Sequence, residues 1–410
     1  MSCIERPELM NRPVLPGEVR AAPHLFAVLA LLWLAGAAIR IPLLAVPPVI
    51  PLIHDDLHMS ETQVGLLMGM PLAMFALAAV PGSLLIARFG VLAVATSGLA
   101  IATLAAAARS AAAEVWTLYA ATLLMGFGVA IFQPCLSTLV RLWAPARSWL
   151  ANAATTNGMV MGITLVSALT TPVVLPAVGG SWRSDLLVWC IPGLIAIALF
   201  VVAALRGHGG AAAADVSVQS GWPNWKSPQL WLLGIALGSN NALFFASNAF
   251  VPDYLTSTGR GDMIGTTLGW MNGTQLIGSF FMLAMSERLQ RKSWPFTIFG
   301  PITVLGLIGV VLCDGIWMLV SATALGIGAA ATFVVTFGLP AILSPPGEVH
   351  RMAGGMFTIS YGLAVVVPVL CGACWDLTGL PWMAFVPMVL CAIGMTIFGT
   401  ALTLQSARQQ

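Results

Sequence analysis

The chain has 410 residues, 59% of them apolar and 8% charged, with a formal net charge of +2. Soluble domains carry about 25% charged residues, so this composition excludes an ordinary globular protein. Its basic residues are scattered through short segments and form no patch, which excludes a nucleic-acid surface.

From the N-terminus, "MSCIERPELMNRPVLPGEVRAAP" is polar and Pro-rich, and the apolar run after it is too long for a cleaved signal. Residues 1–24 therefore read as a tail ahead of the first span. Hydropathy, punctuated by Gly, Pro and charge, predicts membrane helices near 25–52, 63–87, 90–108, 116–141, 150–177 and 185–205. A second set follows near 228–257, 264–286, 294–313, 315–343, 352–375 and 382–404. Between the sets, "RGHGGAAAADVSVQSGWPNWKSPQ" has no spanning pattern and reads as a linker over 206–227. The expected fold is an all-α membrane protein. Its twelve transmembrane helices form two pseudo-symmetric six-helix bundles, 25–205 and 228–404, with a short tail at 405–410.

Charge orients the chain. With the N-terminus in the cytoplasm, thirteen of the 17 basic residues fall on that side and three, Arg109, Arg183 and Arg260, on the other. That bias places both termini, and the linker, in the cytoplasm. The remaining basic residue is Arg40, inside the first span. No Asp or Glu falls in the middle of a span. Seven cysteines, six of them in or beside apolar segments, do not read as a disulfide framework, and "CGAC" at 371–374 puts two small side chains on one helix face.

The halves repeat at an offset of 200. Gly126 and Gly128 in span 4 match Gly326 and Gly328 in span 10, Gly69 matches Gly269, Trp182 matches Trp382, and Pro51 and Pro252 agree within one residue. Duplicated six-helix halves mark carriers whose site lies near the midplane, between the repeats.

Four segments carry a further likeness: "AIRIPLLAVPPVIPLIHDDLHMSETQVGLL", "GFGVAIFQPCLSTLVRLWAP", "GGSWRSDLLVW" and "MAGGMFTISYGLAVVVPVLCGACWDLTGLPW". With them the chain resembles the major facilitator superfamily, and more narrowly its cyanate and 2-nitroimidazole porter family, over nearly all of residues 25–404. The resemblance implies a twelve-helix inner-membrane carrier working by alternating access, often on small anionic or polar solutes. The loop "PGSLLIARFGVL" keeps Arg88 and Gly90 but has Ala87 where the superfamily has Asp, a departure from its usual gating pair.

Arg40 is the first candidate for a binding role. A guanidinium near the middle of a span costs about 2.5–3.5 kcal/mol on insertion scales, so it faces a cavity or a partner. About 15 residues, or roughly 22 Å, into its helix it cannot easily snorkel to water. No mid-span acid is available to pair it. Backbone carbonyls freed by Pro42, Pro47 and Pro48 are one partner; a substrate oxyanion, which suits the planar fork, is the other. The repeat carries Arg40 onto Asn240, followed by Asn241, whose amides would face it across the cavity. These two amides also read as helix-to-helix hydrogen bonders. Gln133, Asn152, Asn157, Trp270, Asn272, Gln275 and Tyr361 are further polar or aromatic candidates within spans. Gln133 and Tyr361 rank above the others because they lie in the span 4 and span 11 segments of the resemblance. Trp270 reads either as a cap on a planar ligand or as an interfacial anchor.

These observations lead to a secondary transporter of a small anion, cyanate-like, carboxylate or another oxyanion, bound at the midplane by Arg40. The alternative is an exporter or facilitator of a neutral polar or nitro-heterocyclic solute, with Arg40 structural. An intramembrane enzyme would need a mid-span cluster of acids, histidine or nucleophile, and none is visible. No cofactor or metal is expected, and "HDDLH" at 54–58 reads as a solvated cap. The expected partners are the anion and the lipid bilayer, for a monomer in a bacterial inner membrane. With no mid-span Asp, Glu or His, facilitated diffusion or exchange is expected over proton symport.

Overall fold

The computed structural model describes residues 23–205, 223–284, 292–340 and 349–408. The N-terminal tail, most of the 206–227 linker and the end of the C-terminal tail lie outside the described residues. The described residues contain twelve long helices and no strand. They are α1 (Pro23–Leu44), α2 (Glu61–Phe89), α3 (Val91–Ala108), α4 (Val115–Trp143), α5 (Ser148–Leu169) and α6 (Ile191–Leu205). The second set is α7 (Pro228–Ser257), α8 (Ile264–Ala284), α9 (Trp294–Leu312), α10 (Gly315–Gly338), α11 (Val349–Thr378) and α12 (Phe385–Arg408). Ten are long and apolar enough to cross a membrane, α6 together with the short helix that begins at Trp182; the other two, α2 and α8, have 29 and 21 residues. The fold is thus the twelve-helix membrane bundle read from hydropathy.

Proline decides where three spans depart from a simple rod. Helix α1 stops at Leu44, because Pro47 and Pro48 have no N–H for the carbonyls four residues back. A 3-10 turn at Pro47–Val49 and a short helix at Ile50–Leu57 then carry the chain on. After α5, Pro172 cannot serve the carbonyl of Ala168, and the chain passes through a π turn at Thr170–Val174. A short helix at Trp182–Val188 precedes α6, with the break falling ahead of Pro192.

Alternation of direction leaves one face of the bundle distal to the chain termini. It carries residues 57–61, 109–115, 178–182, 258–264, 313–315 and 379–385. The two halves meet along two seams, α2 against α11 and α5 against α8. Glycine lets the backbones approach in both. A Cβ on Gly65 would strike the Pro368 carbonyl, and one on Gly69 would lie 3.0 Å from the Val365 carbonyl. In the other seam Gly265 faces Thr171 and Pro172, Gly269 faces Ala168 and Gly273 faces Thr164. Gly65 and Gly265 extend the offset-200 repeat beyond Gly69 and Gly269.

The repeat also holds within each half. Gly126 on α4 packs on Pro71 of α2, as Gly326 on α10 packs on Met271 of α8. Gly128 lies against Gly98 and Ala102 of α3, as Gly328 lies against Phe299 and Thr303 of α9. Matching glycines make matching helix contacts, which chance identities would not do. Close small-residue packing replaces the hydrophobic drive that lipid removes.

Candidate functional site

Arg40 is the only residue from 35 to 51 that is not buried. It has neither an ion pair nor a hydrogen bond among the described residues. The phenol of Tyr361, from α11 in the other half, lies within electrostatic reach of its guanidinium, and the Gln133 side chain of α4 faces that phenol. Three residues singled out in the sequence therefore meet between α1, α4 and α11. Aromatic rings frame them: Phe75 stands edge-on to Tyr361 at 5.5 Å, and Phe357 stacks on it at 5.9 Å with 17° between planes. Such a place offers charge, a planar fork of donors and a π surface.

The two amides of α7 are placed differently. Asn240 is buried, and its Nδ2 donates to the Ala329 carbonyl and Thr332 Oγ1, both at 2.8 Å, and to Met395 Sδ at 3.2 Å. It ties α7 to α10 and α12. Asn241 keeps some accessible surface, and its Nδ2 donates to Ser360 Oγ at 2.8 Å, beside Tyr361. Of the pair, Asn241 is the one whose partner precedes Tyr361 in the chain.

The remaining candidates lie elsewhere. Asn157 accepts from Trp33 Nε1 at 2.9 Å and links α5 to α1. Asn272 is buried, donating to Ser167 Oγ and to Asn248 Oδ1, both at 2.9 Å, and accepting from Gln275 Nε2 at 3.1 Å. That network joins the halves at the α5/α8 seam. Trp270 shares an exposed stripe of α8 with Thr266 and Ile277, and Asn152 is exposed on α5.

Arg40 is not the only arginine inside the bundle. Arg109, counted above with the distal loops, is 2% exposed, and its Nη2 donates to the Pro42 carbonyl at 2.7 Å. The backbone of α1 near its prolines is thus served by Arg109 and not by Arg40. The acids also differ from the sequence reading, since Glu61, Asp185 and Asp253 are all buried. They lie toward the distal ends of their helices, where hydropathy alone assigns the solvated side of a span. Asp253 and His54 sit at nearly equivalent places in the repeat, close to Pro252 and Pro51, and are 3.3 Å apart. The offset alone would have been the signal that brings them together.

A two-fold repeated bundle that spans a membrane and encloses a charged, hydrogen-bonding centre between its halves is a secondary transporter, not an enzyme. The family model of the Major Facilitator Superfamily matches residues 28–273, and the chain belongs to that superfamily. An uncharacterized transporter of Bacillus subtilis, YycB, is 27% identical over 374 residues, covering 88% of this chain and 89% of its own. The cyanate transport protein CynX and the 2-nitroimidazole transporter, both of Escherichia coli, are each 22% identical. Those alignments cover 90% and 91% of this chain, and 95% and 94% of the relatives. Among solved structures, the nucleoside transporter NupG has the same fold, with a TM-score of 0.73 at 11% identity over 92% of this chain and 98% of its own.

Proposed function

We propose that this chain carries a small anion across a bacterial plasma membrane, with Arg40 as the anion's anchor and Gln133, Tyr361 and Asn241 around it. The observation that supports this reading most is Arg40, which has no ion pair or hydrogen bond among the described residues and is the one residue of 35–51 that is not buried. A charge without a partner inside a membrane span is costly, and an anion that arrives from water supplies one. The named substrate of CynX, cyanate, is of this class. The stacked pair of Phe357 and Tyr361 favours a second reading, a nitro-heterocycle of the kind named for the 2-nitroimidazole transporter. A nitro group also presents two oxygens to a guanidinium.

Purified protein screened for thermal stabilisation by cyanate, acetate, benzoate and 2-nitroimidazole tests both readings. A ligand at 100 times its dissociation constant stabilises by about 2.7 kcal/mol. Stabilisation by 2-nitroimidazole and by none of the anions would replace the first reading with the second.

The two amides should separate in the same assay. Asn240→Ala is expected to lower thermal stability by about 1–3 kcal/mol, because it leaves the Thr332 and Ala329 groups with one partner fewer. Asn241→Ala is expected to weaken binding several-fold with a near-normal melting curve. The reverse pattern would exchange their roles.

The positive-inside bias supports cytoplasmic termini and a cytoplasmic 206–227 linker. A cysteine placed at Ser217 should then resist a membrane-impermeant reagent in intact cells and react once the membrane is opened. Labelling in intact cells would invert the topology.

A further inference from the structure

A second polar cluster spans the halves at the distal face. His54 follows α1, Glu61 opens α2 and Asp253 lies near the end of α7. His54 Nδ1 is 3.3 Å from Asp253 Oδ2 and 3.8 Å from Glu61 Oε1, and the donor atoms of all three lie within 4.8 Å of one another. A carboxyl oxygen of Glu61 thus lies within 4.8 Å of one of Asp253, with no cation between the two acids other than His54 among the described residues. The two acids have side chains 9% and 5% exposed, while His54, at 26%, connects the cluster to the distal surface. Glu61 Oε2 is buried without a partner.

The surroundings are negative. Asp55, beside His54, and Asp376, from α11, are the further charged groups that face the cluster. Asp376 is occupied, because it accepts from Glu61 N at 3.0 Å, from Thr62 N at 2.8 Å and from Thr62 Oγ1 at 2.5 Å. With His54 cationic and both buried acids ionised, the cluster would hold one net negative charge in a poorly hydrated place. Two carboxyl groups this close in a poorly hydrated place hold a proton between them in preference to ionising together. One more proton makes the cluster neutral and puts a donor between the two carboxyls.

We propose that His54, Glu61 and Asp253 form a proton-binding latch that holds the distal side of the carrier shut and carries one more proton closed than open. When the halves part there, Asp253 leaves with α7, both carboxylates become hydrated, and the shared proton returns to the distal solution. When they close, a proton is taken from that solution. Since the closed state binds the extra proton, closure is favoured as pH falls, and the closed-to-open ratio changes by up to about tenfold per pH unit. This latch is separate from the anion site and stands whether or not Arg40 binds substrate.

Distances between nitroxide labels read it directly. Trp116 on α4 and Leu377 on α11 lie near the distal ends of opposite halves and are 73% and 87% exposed. Both are replaced by labelled cysteine in a background without native cysteines that still transports. Lowering the pH from about 8.5 to about 5.5, across the range where histidine changes its charge, should move the population to the short distance. Glu61→Gln, which mimics the protonated acid, should stay short at both values, and Asp253→Asn provides the second test of the shared proton. Arg40→Ala should keep the wild-type pH response. A wild-type distribution that ignores pH would overturn the latch, as would wild-type pH dependence in both amide variants or its loss in Arg40→Ala. Closure that follows added zinc and is reversed by a chelator at fixed pH would make the cluster a divalent-cation site instead.

Discussion

Arg40→Ala is expected to abolish anion-dependent stabilisation of the purified protein and saturable transport in proteoliposomes. Removing the charge deletes the attraction and the two-pronged hydrogen bond together, while desolvation of the anion is still to be met. The expected loss is about 2–4 kcal/mol, or roughly 30- to 1000-fold in affinity. Arg40→Lys keeps the charge and loses the planar fork, so it should fall between the two. No ion pair breaks in either variant, and the native fold should survive. Equal anion affinities in folded wild type and Arg40→Ala would assign Arg40 to the helix and return the neutral-solute reading.

Gly372→Val is expected to have an effect of similar size by another route. A Cβ at residue 372 would run into the carbonyl group of Glu61, a backbone contact of α11 with α2 between the halves. Backbone on both sides leaves no flexible side chain to give way. The variant should insert and fold as two bundles yet fail to close its distal side, so transport falls to background while the protein remains in the membrane. Transport at wild-type rate would show that this approach is not needed for the cycle. Gly362→Val on the same helix is the control, because a Cβ there meets nothing within 4 Å.

Much of this architecture is legible in the sequence because lipid imposes a simple rule. Every spanning segment must satisfy its own backbone, so length and hydropathy identify helices without any knowledge of their packing. The repeat was legible for a related reason: close contacts between backbones demand glycine, and glycines such as Gly126 and Gly326 survive at fixed spacing. Arg40 was legible because a lone charge in an apolar run has few explanations. Its neighbours were only partly so, since Gln133 and Tyr361 came from a resemblance and not from their own chemistry. The amides show why. Asn240 and Asn241 are adjacent and identical in type, and only their direction around α7 sends the first to α10 and α12 and the second to Ser360 of α11. Depth is the quantity hydropathy misjudges most. Arg109, Glu61, Asp185 and Asp253 sit at helix ends in the sequence, yet neighbouring helices and the short distal segments bury them.

The start of α2 carries a consequence of its own. Ser60 accepts from Gln63 N, but the N–H groups of Glu61 and Thr62 are served by Asp376, which belongs to the opposite half. The first turn of this helix therefore borrows its cap from across the seam. If the distal side opens as proposed, those donors must turn to water or the turn must unwind, at about 0.5–2 kcal/mol for a lost cap. Part of the transport cycle is then a local folding reaction, and amide hydrogen exchange at Glu61 and Thr62 would record how often the gate is open.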